Sequence, residues 1–198
     1  MPDRYVGRFQ AFVDRFLTGE ATDDARVNLK REHSLKVLAE AGMLTRRLGL
    51  DPDHARLTHV AALFHDTGRF PQYAAYKTFR DATSVNHGRL GVATLRREGL
   101  IADLPQASRA LIYGAIVMHN RFALPAAVAA VPGSPLALAS HVVRDADKLD
   151  ILRVMVEHFE AEGGSDEVVT MALPDRPDTY ARNLVEPLLG GRVARYTD

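Results

Sequence analysis

Apolar residues recur along this chain at intervals of three and four, the spacing of one helix face, while alternating or β-branched runs that would mark strands are few. An all-α domain is the expectation. Phe9, Phe12, Val13, Phe16 and Leu17 form a stripe on a first helix ending near Gly19. Thr22 or Asp23 can cap a second helix, which carries His33, Val37, Leu38 and Ala41 toward Leu48 and stops at Gly49. Asp51 followed by Pro52 opens a third, with Leu57, Val60, Ala61 and Phe64 leading to His65-Asp66 at its C-terminal end. From Thr67 to Thr83 the pattern breaks around Gly68, Pro71, Phe70, Tyr73, Tyr76 and Phe79, which predicts a long ordered loop or short helix of the kind that walls a pocket. Ser84 then starts a helix through His87, Leu90, Val92 and Leu95 to Gly99, and Pro105 opens another through Leu111, Ile112, Ala115 and Ile116 to His119. After a loop with Pro125, Pro132 and Gly133, Ser134-Pro135 begins a long helix through His141, Asp145, Asp147, Ile151 and Met155 to Gly163-Gly164. The tail predicts one more helix, at about 178–189.

Composition narrows the chemistry. A chain of 198 residues fits one domain, and a chain of this size buries roughly 70% of its unfolded surface. With no Cys, any metal site must be built from His and carboxylate. The basic and acidic residues balance at 25 each, so no long-range field gathers nucleic acid, which is not an expected partner. The N-terminus lacks a signal-peptide pattern and no apolar run is long enough to span a bilayer, so a cytoplasmic protein without a membrane partner is expected. Only four basic residues are Lys (Lys30, Lys36, Lys77 and Lys148); the Arg excess fits phosphate-binding forks or simple codon bias.

The candidate chemistry lies in Ala61-Ala62-Leu63-Phe64-His65-Asp66-Thr67-Gly68-Arg69. A His and a carboxylate side by side offer donors that iron, manganese, nickel and zinc share. His33 upstream, His87 and His119 between, and Asp147 within Arg144-Asp145-Ala146-Asp147-Lys148-Leu149-Asp150 complete an ordered series of His, His-Asp, His, His, Asp. This series, together with Ala146-Asp147-Lys148, resembles the HD-domain superfamily of metal-dependent phosphohydrolases.

The resemblance implies a compact domain of six to eight helices with a metal site between the central ones. One domain then spans 1–198, with a motif core at about 32–153 and a C-terminal extension at 165–198. Ligands would be His33, His65, Asp66 and Asp147, with His87 and His119 either ligating a second ion bridged by Asp66 or lining a mononuclear pocket. Asn120 stands where the binuclear branch can have a third extra histidine. The cofactor is one or two divalent ions of Mn, Fe, Co, Ni, Zn or Mg. Asp66, Lys148, Arg69 and His119 are the expected catalytic residues, the two cations holding phosphate, with Arg121 and Arg144 behind them; Asp145 is expected to support the ligands. His54, His59, His141 and His158 fit no ligand position, although His141, two turns before Asp147, can face the site. The implied activity is hydrolysis of a phosphate ester or anhydride, of a nucleotide or another small phosphorylated metabolite, and a homodimer is allowed. A di-iron oxygenase or a nucleotide-binding regulatory module without turnover are the readings from other classes.

Overall fold

The computed structural model describes residues 2–160, 179, 181–192 and 194. Its elements are α1 (Pro2–Asp14), α2 (Ala21–Arg47), α3 (Pro52–Phe64), α4 (Arg69–Tyr76), a 3-10 turn (Asp81–Thr83), α5 (His87–Glu98), α6 (Gln106–His119), the single turn α7 (Ala126–Ala129), α8 (Pro135–Glu160) and α9 (Arg182–Leu189). No strand occurs among the described residues, so the all-α expectation holds.

Helix α8 is the centre of the packing, against α6, α2 and α3, and α3 also packs on α2 and α6. Apart from Asp147 and Asp150, its buried residues (Ala137, Ala139, Ser140, Val142, Val143 and Ala146) are small or β-branched, which lets neighbouring axes approach closely. Helix α1 closes one side with aromatic residues. Phe9 meets Phe64 and Phe70 edge-on with ring centroids 5.9 Å apart in both pairs, and Phe12 meets Phe70 likewise at 5.9 Å. Phe9 and Phe64 are fully buried, and burial of a ring of this size contributes roughly 1.5–3 kcal/mol. That cluster fixes the end of α3 and the start of α4, the two places between which His65 and Asp66 sit.

Several boundaries differ from the sequence reading, those of α2 and α5 because the expected caps found other partners. The first helix ends at Asp14, leaving Phe16 and Leu17 in the following turn. Neither Thr22 nor Asp23 caps α2: its N-cap is Glu20, without a side-chain bond, while Asp23 takes Lys77 and Asp24 accepts from the Thr18 and Gly19 amides. Asn86 caps α5 in place of Ser84, whose hydroxyl instead bonds the Arg80 carbonyl and accepts from Gln72. Asp51 does cap α3, accepting from the His54 amide at 2.9 Å, and Gly49 and Gly99 terminate α2 and α5 with φ of +62° and +65°. The broken segment resolves into α4 and the 3-10 turn. The tail helix begins at Arg182; the expected start near 178 and the expected end of α8 at Gly163-Gly164 lie outside the described residues.

Candidate metal centre

Five helices or helix ends deliver the six candidate ligands to one place. His33 comes from α2, His65 caps α3 and Asp66 follows it, His87 opens α5, His119 closes α6, and Asp147 lies in the middle of α8. All six are buried, between 0% and 5% exposed. Two groups of ligand atoms within 4.8 Å of one another share Asp66: His33, His65 and Asp66, and Asp66, His87 and His119. Asp147 joins the first group, its Oδ1 lying 3.2 Å from His33 Nε2 and 3.6 Å from His65 Nε2. Asp66 divides its oxygens between the groups. Oδ2 is 3.7 and 3.8 Å from the Nε2 atoms of His33 and His65, and Oδ1 is 3.4 and 3.7 Å from those of His87 and His119.

The imidazoles report on what fits between them. Each Nδ1 faces an acceptor: the Asp150 carboxylate at 2.7 Å for His33, the Ala62 carbonyl at 2.7 Å for His65, the Asp81 carboxylate at 2.8 Å for His87 and the Ile116 carbonyl at 2.6 Å for His119. Each Nδ1 must therefore carry the proton and donate, which leaves a lone pair on every Nε2 of the neutral rings. Those Nε2 atoms nevertheless converge, 3.3 Å apart for His33 and His65 and 2.9 Å for His87 and His119. Facing lone pairs repel unless a cation lies between them. The donor set of histidine nitrogens and carboxylate oxygens, already held by outer hydrogen bonds, thus fits one divalent ion in the first group and one in the second.

Electrostatics agree with ligand duty. Burial alone would raise the Asp66 carboxyl, but the positive charges of Lys30, of His65 when protonated, and of Arg69 hold it well below the usual range. Asp147 behaves alike: burial opposes ionisation, and His33, His65 and Lys148 overcome it. Burial pushes His87 down to about 4 against the opposing hydrogen bond of Asp81, so the ring is neutral near pH 7. For His33, burial and Lys30 push the pKa down, yet the bonds to Asp147 and Asp150 prevail and raise it. A proton on His33 is thus the natural competitor of the ion.

The cations fall into distinct roles. Arg69, expected at the phosphate, donates from Nη1 to the Phe79 carbonyl, Asp81 Oδ1 and Gln72 Oε1, which ties that nitrogen to the 78–83 loop, while Nε lies 3.5 Å from Asp66 Oδ1. Lys148 donates to Asp147 Oδ2 at 2.6 Å with its side chain 60% exposed, within reach of an incoming molecule. Arg144 is spent on the carbonyls of Met118, Arg121 and Phe122, and Arg121 is exposed. Asp145 and His141 are exposed as well and belong to no part of the centre, because α8 turns them to the side opposite Asp147 and Ala146. Asp150, not Asp145, bonds a candidate ligand, His33.

Four supporting residues escaped the sequence reading. Lys30 places Nζ 2.9 Å from Asp66 Oδ2; Asp150 holds His33 and is itself held by Arg153 at 2.7 Å; Asp81 holds His87; Asn120 donates to Asp81 Oδ2 at 3.2 Å. Lys30 precedes His33 by three residues and Asp150 follows Asp147 by three, a spacing that shares a helix face and was a usable signal. Asp81, in a loop, offered none.

An all-α domain with a buried histidine-carboxylate centre shared among α2, α3, α5, α6 and α8 defines a class of metal-site protein. Residues 31–152 match the HD domain family, and this chain belongs to it. No curated protein and no solved structure matches the chain.

Proposed function

We propose that this protein is a phosphohydrolase that cleaves a phosphate ester or anhydride of a small metabolite, a nucleotide being the leading candidate, in which His33, His65, Asp66 and Asp147 would hold one divalent ion and Asp66, His87 and His119 a second. The carrying observation is the division of the Asp66 oxygens between two groups of converging histidine lone pairs. A divalent ion in such a site lowers the pKa of a bound water, polarises a phosphoryl oxygen and offsets the charge that develops during displacement.

What the chain supplies is position and charge. Around the centre, Asp66, Asp81, Asp147 and Asp150 are paired with Lys30, Arg69, Lys148 and Arg153 respectively, so with neutral histidines these eight charges cancel. Each divalent ion then adds two uncompensated positive charges in a largely buried site. Such a field favours a phosphate over a neutral or cationic substrate. Lys148, exposed beside the centre, is suited to hold a nonreacting phosphate oxygen as a compact charge.

The test is a phosphate-release screen over nucleotides and phosphomonoesters with protein reloaded separately with manganese, cobalt, nickel, iron or magnesium. Metal-dependent release abolished by Asp66→Ala is expected. A loaded protein that consumes oxygen and releases no phosphate would favour the oxygenase reading; nucleotide binding without turnover under every metal would favour the regulatory one.

A further inference from the structure

We infer that Lys30 is the residue that contacts the substrate's phosphoryl group, a role resting on the phosphohydrolase reading above. Lys30 and His33 lie one turn apart on α2, and the Lys30 ammonium sits 2.9 Å from Asp66 Oδ2, the oxygen facing His33 and His65. The Lys30 side chain is 18% exposed against 4% for Asp66, so it stands between the ligands and solvent, at the edge of the first group. Phe79 fixes the ammonium from the side, the ring centroid lying 5.5 Å from Nζ, and Arg69 holds the Phe79 carbonyl. Arg69 Nη1 is tied to the loop, whereas the Lys30 ammonium bonds a carboxylate that is itself a candidate ligand.

That bond cannot keep its strength once ions are bound. Asp66 would then share its charge with the ions it holds, and the neighbouring ammonium would be repelled by them unless an anion lay between. A phosphoryl group reaching this edge of the site would relieve the repulsion and offer Lys30 acceptors in place of Asp66. The charge-assisted bond that results is of the stronger kind. A purely supporting Lys30 would instead stay on Asp66 and affect ion retention.

The two roles separate in an equilibrium measurement that needs no turnover. Wild-type, Lys30→Met and Lys30→Arg proteins are loaded with manganese, their ion content is counted, and inorganic phosphate is titrated in by calorimetry. Lys30→Met keeps the stem and removes the charge, and Lys30→Arg keeps the charge should the first variant fold poorly. The expected result is unchanged manganese content, phosphate affinity weaker by roughly tenfold or more in Lys30→Met, and partial recovery in Lys30→Arg. Unaltered phosphate affinity in both variants, or loss of manganese from Lys30→Met, would overturn the assignment while leaving the phosphohydrolase reading intact. Failure of the loaded wild-type protein to bind phosphate would overturn both.

Discussion

Asp66 presents a different oxygen to each half of the centre, so its removal should affect both halves, whereas loss of another ligand opens only one. Asp66→Ala is expected to lose metal and turnover together. On α8, Asp147→Asn should strip metal and Asp145→Asn should leave it, because Asp145 is exposed; Asp150→Asn, which replaces the charged acceptor of the His33 Nδ1 proton by a neutral one, should weaken metal affinity roughly 10-fold or more. A competition titration against a chelating dye ranks the three, and retention of full affinity by Asp147→Asn would remove it from the ligand set. His87 makes a separate prediction about acid. The unfolded chain takes up a proton near 6.5 but the folded metal-free protein only near 4, because burial outweighs the Asp81 bond. Its depressed pKa therefore costs stability as pH falls from about 6.5 to about 4, by on the order of 3 kcal/mol, and costs nothing above that window. His33 works in the other direction, its contribution being present below about 6.5 and lost as pH rises through its raised pKa. Comparing urea unfolding of metal-free wild type and His87→Gln at pH 6.5 and 4.5 isolates His87: the variant should lose less stability on acidification, and parallel losses would refute the shift.

The helices position the ligands through close backbone approaches more than through their caps. A Cβ built at Gly68, in the turn joining α3 to α4, would lie 2.1 Å from the His87 carbonyl oxygen and 2.6 Å from the Gly91 amide, so the turn bearing Asp66 packs directly onto the start of α5. Gly68→Ala should destabilise by on the order of 3 kcal/mol and displace His87, lowering the ion count. Gly7, exposed within α1 with nothing within 4 Å of a built Cβ, is the contrasting case: Gly7→Ala should stabilise by roughly 0.5–1 kcal/mol. Denaturant midpoints check both signs. The elements themselves were legible because apolar spacing survives in a single sequence; the Asp51, Gly49 and Gly99 boundaries were legible because their local chemistry met no rival. The α2 start was not, since Asp23 and Asp24 were drawn to Lys77 and to the preceding turn. His65-Asp66, His33, His87, His119 and Asp147 stood out as an ordered series. Asp81 and Gln72 did not, because a loop's contacts are set by tertiary packing and carry no period.

At the scale of the whole molecule the centre ties together helices far apart in sequence. His33 of α2 and Asp147 of α8 are joined through the site, and α5 and α6 enter it only through His87 and His119. Ions held there would be cross-links as well as cofactors, and chelation should lower the melting temperature of the wild-type protein, because an ion that binds only the folded chain stabilises it. Among the described residues no helix is long and apolar enough to cross a membrane. The family follows from the matched residues 31–152; the proposed substrate class rests on charge, and the proposed pairing of ions on Asp66 is the point at which chemistry and geometry meet. Ions per chain, counted by elemental analysis on protein purified without chelator and reloaded with manganese, test that pairing most directly, with His87→Ala/His119→Ala as the partner sample. Two ions in the wild type and one in the double variant are expected; one ion in the wild type, or two retained when both histidines are gone, would contradict a centre bridged by Asp66.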